Sequence, residues 1–137
     1  MTIQKPRVLV VDDEAAVVML CTYVLTDARY DVESATRADE AKALIESRPY
    51  DVYLIDLVMP DLGGLQAIRA ARKVASPKPI VVMTAEPEHL VPAREGMDYY
   101  LHKPFRGLEA LEQVIALAIR NGRRPAAAPA QPPAQAG

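Results

Sequence analysis

Arg7-Val-Leu-Val-Val-Asp-Asp-Glu14 is an apolar run that ends in three acids. Residues 8–11 have no polar interruption, which is the pattern of a strand covered on both faces. From residue 14 the period becomes helical. Val17, Leu20, Cys21, Val24, Leu25 and Ala28 fall on one stripe. The same kind of run recurs three times. Asp51-Val-Tyr-Leu-Ile-Asp56 ends in an acid, Pro79-Ile-Val-Val-Met-Thr84 in a hydroxyl, and Tyr99-Tyr-Leu-His-Lys103 in an ammonium.

Weaker patterns fill the gaps. Tyr30 to Ala35 predicts a further strand, with Val32 as its main apolar residue. Thr36 is read as the cap of the next helix, with Asp39 three residues on and Ala38, Ala41, Leu44 and Ile45 as its stripe; Pro49 closes it. Leu57 to Gly64 reads as loop, broken by Pro60 and Gly63. Leu65, Ile68 and Ala71 or Arg72 mark a third helix. The last helix spans about 108–121, with Leu108, Leu111, Val114, Ile115, Ala118 and Ile119 inward and Gly122 as its C-cap. The segment between Thr84 and Tyr99 holds Pro87 and Pro92, so its helix, the fourth of five, is expected to be short or irregular. Five strands alternating with helices predict an α/β fold: a parallel sheet with helices on both faces.

The 137 residues predict one domain over 1–121, followed by a Pro/Ala-rich tail or linker, 122–137. A net charge of −2 argues against a nucleic-acid partner, which needs a basic face. The single cysteine, Cys21, precludes an internal disulfide, and no apolar stretch is long enough to span a bilayer. A cytoplasmic protein without membrane contact is the expectation.

In open doubly wound sheets, ligands bind beyond the carboxyl ends of the strands, where strand order reverses. With the order 2-1-3-4-5, that point lies between the strands ending in Asp12-Asp13 and in Asp56. Carboxylates gathered there repel, and either a raised pKa or a cation relieves them. An all-oxygen set favours a hard ion such as Mg²⁺. Aspartate is a competent nucleophile toward phosphorus, Lys103 offers fixed positive charge, and Thr84 offers a hydroxyl. Ala85 is small enough to leave room beside them.

In these marks the chain resembles the receiver domains of bacterial two-component response regulators, the chemotaxis-regulator type of the flavodoxin-like fold. The marks are Val11-Asp-Asp-Glu14, Asp56 followed by Met59-Pro60 and Gly64, Thr84-Ala85, and Lys103-Pro104-Phe105. The resemblance covers about residues 5–121 and implies a five-stranded parallel sheet of order 2-1-3-4-5. It implies that Asp56 is the phosphoacceptor. Asp12, Asp13, Asp56 and the backbone carbonyl of Val58 would hold Mg²⁺. Thr84 and Lys103 would act on the phosphoryl group, and Thr84 and Tyr100 would form the switch. It implies a cis peptide at Lys103-Pro104. The protein would be a phosphorylation switch rather than a turnover enzyme, catalysing at most its own phosphorylation and dephosphorylation.

The implied partners are a histidine kinase or phosphotransfer protein upstream and an unidentified protein downstream. The downstream protein would meet the face of the fourth helix, fifth strand and fifth helix, where a homodimer also fits. Two departures stand out: the short, proline-bearing stretch from Thr84 to Lys103, and Gly63 where an Asp often precedes Gly64. Beside this reading stand a phosphorylation-independent interaction module of the same fold and a haloacid-dehalogenase-like phosphatase. The phosphatase family requires Asp-x-Asp, whereas this chain has Asp12-Asp13-Glu14-Ala15-Ala16.

Overall fold

The structure, a computed structural model, describes residues 4–74, 76–85, 98–103 and 107–123. In chain order it runs β1 (Arg7–Val11), α1 (Ala15–Asp27), β2 (Asp31–Ala35), α2 (Ala38–Ser47) and β3 (Val52–Asp56). A single 3-10 turn (Pro60–Leu62) leads into α3 (Gly63–Arg72). Then come β4 (Ile80–Thr84), β5 (Tyr99–His102) and α4 (Leu108–Asn121). All strand pairs are parallel and the order is β2-β1-β3-β4-β5. The fold is the flavodoxin-like one the sequence predicts. The fourth of the five expected helices, the Lys103-Pro104 peptide and the tail beyond Arg123 lie outside the described residues.

Alternation along each strand sorts the core into two layers. Leu9, Val11, Tyr53, Ile55, Ile80, Val82 and Tyr100 pack with Ala41 and Ile45 of α2 and Ala67, Ile68 and Ala71 of α3. Val8, Val10, Val52, Leu54, Val81, Met83 and Tyr99 pack with Cys21 and Leu25 of α1 and Leu111 and Ile115 of α4. Every residue of β3 and β4 is buried, including the terminal Asp56 and Thr84. These strands need apolar residues on both faces, which is why they read as unbroken hydrophobic runs.

Helix phases depart from the periodicity in places. In α1 Val18 is buried beside Cys21, Val24 and Leu25, while Leu20 is 38% exposed. Nothing from Ala15 to Thr26 is charged, so the stripe has little contrast to locate it. Leu108 is also exposed, because the first turn of α4 extends past the core. Thr36 is not a side-chain cap: Arg37 holds the cap position, and the Thr36 amide donates to Glu40 Oε1 at 3.1 Å. Gly63 and Gly64 lie inside α3 rather than in a loop. Gly122 does close α4, with φ at +69° and its amide on the Ala118 carbonyl at 2.8 Å.

No helix among the described residues is long and apolar enough to cross a membrane.

Candidate functional site

Register assembles the site. Val11 pairs with Ile55, so the next residues, Asp12 and Asp56, leave neighbouring strands side by side. Asp56 pairs with Met83, and Thr84 pairs with His102. Thr84 and Lys103 therefore each stand one step beyond the preceding strand's pair. The Leu57 amide donates to the Met83 carbonyl at 2.8 Å and the Lys103 amide to the Thr84 carbonyl at 2.8 Å, extending the ladder to the pocket edge. Groups up to 91 residues apart in sequence meet at the reversal of strand order.

Carboxylate oxygens of Asp12, Asp13 and Asp56 lie within 4.8 Å of one another. Asp12 and Asp56 are buried and Asp13 is exposed, so the cluster has a floor and a mouth. Lys103 Nζ reaches across it, 2.8 Å from Asp12 Oδ2, 3.3 Å from Glu14 Oε1 and 3.5 Å from Asp56 Oδ2. Backbone amides fix the other oxygens: Glu14 N–H donates to Asp12 Oδ1 at 2.9 Å and Val58 N–H to Asp56 Oδ1 at 3.1 Å. One oxygen of Asp56 is thereby held, and the other faces the ammonium.

Electrostatics follow from this placement. Burial, with the Asp12 charge adding, pushes the Asp56 carboxyl up from 3.8 to about 6; Lys103 and the Val58 amide oppose the rise. For Lys103, burial disfavours the ammonium, but the Asp12 hydrogen bond and charge, with Asp56, outweigh it and raise its pKa. A metal fits this donor set: three carboxylates, all oxygen, converge on a pocket whose built-in cation only partly offsets them. Val58 is 55% exposed beside them.

Thr84 is fully buried at the end of β4, and Ala85 beyond it is exposed. Tyr100 is buried too, 2% exposed, with its ring centroid 6.2 Å from that of His102. By strand alternation Tyr100 lies on the sheet face of Val82 and Thr84. Gly64 sits where α3 crosses the exit of β3. A Cβ there would overlap the carbonyl oxygens of Asp56 and Leu57, so only glycine lets the helix close over the site.

Two features were not foreseen from sequence. Glu14 takes part in the Lys103 network. Asp98, 1% exposed before β5, accepts from the Ile80 amide at 2.9 Å and pairs with Arg72 of α3. Arg123 approaches Asp98 at 3.7 Å, and Tyr99 Oη donates to the Gly122 carbonyl at 2.9 Å. These contacts tie the end of α4 to β5. Cys21 is a core residue, as its place on the helical stripe predicts; Met59 is buried as well, and His102 is exposed.

A five-stranded doubly wound sheet with an acid pocket at its switch point defines the flavodoxin-like class of α/β proteins. Residues 8–116 match the family "Response regulator receiver domain", and the chain belongs to that family. It is 32% identical over 118 residues to the alkaline phosphatase synthesis transcriptional regulatory protein PhoP of Bacillus subtilis (strain 168). That match covers 84% of this chain and 49% of the relative, so the chain spans about half the length of this curated relative.

Among solved structures it is similar to the receiver domain of the Francisella response regulator 1452. There the TM-score is 0.75 and the identity 28%, covering 85% of this chain and 98% of that one. The chemotaxis response regulator CheY4 of Vibrio cholerae gives a TM-score of 0.73 at 28% identity, covering 84% and 99%.

Proposed function

We propose that this receiver domain takes a phosphoryl group onto Asp56 from a phosphohistidine of a kinase or phosphotransfer protein, and that the charge gained there alters partner binding. One observation carries the reading. Three carboxylates within 4.8 Å, a lysine ammonium bound to buried Asp12, and a buried threonine end four adjacent strands at a single edge.

In the transfer the P–N bond of the donor breaks, a P–O bond to Asp56 forms, and the imidazole leaves with the electron pair. The Val58 amide holds Asp56 Oδ1, which leaves Oδ2 to attack. Asp12, Asp13, Asp56 and the Val58 carbonyl would hold Mg²⁺, which when bound neutralises charge on the phosphoryl oxygens. Lys103, now shared with Asp12 and Glu14, turns to the new phosphoryl oxygens, and the Thr84 hydroxyl donates to another. Tyr100 shares the Thr84 face and responds to its movement. Coupling of this kind is typically about 1–3 kcal/mol.

The uncharged face of α1 supports a docking role beside the pocket mouth. It starts next to Glu14, and Met19 and Tyr23 are 70% and 72% exposed on it. Downstream partners, or a second copy, would use the face that includes β5 and α4.

Beryllofluoride, a phosphoryl mimic, tests the switch. With Mg²⁺ it should shift the amide signals of Thr84 and Tyr100, and Asp56→Asn should abolish those shifts. Equal shifts in Asp56→Asn would refute the assignment.

A further inference from the structure

Of the acids in the run Asp12-Asp13-Glu14, Glu14 stands outside the three-carboxylate cluster. Its backbone is pinned at the start of α1. The amide donates to Asp12 Oδ1 at 2.9 Å, and the carbonyl accepts from the amides of Val17 and Val18, both at 3.1 Å. A residue at this N-cap position commonly turns its side chain back onto the first-turn amides. Glu14 makes no such bond. Its carboxylate lies instead 3.3 Å from Lys103 Nζ, which is its one side-chain partner among the described residues.

An ammonium has three N–H donors. That of Lys103 faces three carboxylates: Asp12 at 2.8 Å, Glu14 at 3.3 Å and Asp56 at 3.5 Å. The lysine is engaged before any phosphoryl group arrives, and it leans toward Asp12 and Glu14 rather than Asp56. These pulls differ in kind. Asp12 and Asp56 belong to the acid cluster, where a cation would balance their charge. Glu14 does not, so its hold on Lys103 outlasts metal binding. The Glu14 side chain is 64% exposed against 13% for Lys103, so solvent screens the hold and it can be broken.

We propose that Glu14 is a positioning residue that restrains Lys103 on the Asp12 side of the pocket and competes with incoming phosphoryl oxygens for its ammonium. The role rests on the Asp56 reading, because the competition has an effect only where a phosphoryl group forms there. Releasing the restraint frees the ammonium for the phosphoryl oxygens, so Glu14 tempers the response of the site.

Two measurements on the full chain test it. The first is the side-chain ¹H–¹³C spectrum of lysine Cε in metal-free buffer. Glu14→Gln and Glu14→Asp should both displace the Lys103 signal, since glutamine loses the charge and aspartate keeps it on a side chain one methylene shorter. The second is beryllofluoride titration under saturating Mg²⁺, followed at the Thr84 amide. Both variants should bind about two- to fivefold more tightly than wild type, the factor expected for release of one exposed ion pair. An unmoved Lys103 signal in Glu14→Gln, or wild-type affinity for beryllofluoride in that variant, would overturn the role. Tightening in Glu14→Gln with wild-type affinity in Glu14→Asp would reduce the effect to long-range charge and would overturn it too. Absence of beryllofluoride binding by the wild type would instead overturn the Asp56 reading, and this role with it.

Discussion

Replacing Asp56 by asparagine should stabilise the metal-free protein. The Asp56 carboxyl sits at about 6 instead of 3.8, because burial and Asp12 disfavour its charge. The native state therefore binds more protons than the unfolded chain between these values, and stability falls as pH rises through that window. A rise of this size corresponds to about 3 kcal/mol once Asp56 is ionised in both states. Solvent at the exposed Asp13 side of the pocket screens part of it, and an asparagine amide facing Lys103 returns a little. The net expectation is a gain of about 1–2 kcal/mol in urea unfolding at about pH 7.5 with a chelator.

Two controls bear on the cause. Near pH 3.5, just below 3.8, the gain should nearly vanish, because position 56 is then neutral in both native proteins and mostly neutral in the unfolded wild type. With Mg²⁺ at 100 times its Kd the wild type recovers about 2.7 kcal/mol, and the order of stability narrows or reverses. An asparagine variant no more stable than wild type at neutral pH, or a gain that persists at pH 3.5, would refute this account of the pocket.

Four further outcomes are expected. Asp98→Ala leaves the Arg72 guanidinium, 17% exposed, without its buried partner and should cost about 3–5 kcal/mol in chemical unfolding. Gly64→Ala forces a methyl into the carbonyls of Asp56 and Leu57 and should cost at least about 1–3 kcal/mol, read as a lower urea midpoint. Leu62 holds φ at +59° while 67% exposed, so Leu62→Gly should raise stability by about 0.5–1 kcal/mol in thermal unfolding, the left-handed strain exceeding the entropy of glycine. Burial, with Asp12 adding, pushes the Cys21 thiol up to about 12; an aromatic disulfide reagent should react with it only on unfolding.

The strands were legible because burial on both faces leaves apolar runs without interruption, and the site because its groups are the residues that end those runs. Helix phase was less legible. Leu20 and Val18 are equally apolar, and only the packing of α1 on the sheet and α4 decides which is buried. Gly63-Gly64 reads as a breaker in sequence, yet it marks close passage of a helix over the β3 carbonyls. The start of α2 was misplaced because Glu40 satisfies the Thr36 amide from inside the helix. The Arg72–Asp98 pair was out of reach: its members are 26 residues apart, and nothing local marks either as buried.

The proposed function turns on Asp56 as the group that takes the phosphoryl. Incubation with acetyl phosphate and Mg²⁺, followed by intact mass measurement, tests it most directly. The expected result is a gain of one phosphoryl mass that hydroxylamine removes, that requires Mg²⁺, and that is absent from Asp56→Asn. The same gain in Asp56→Asn would contradict it.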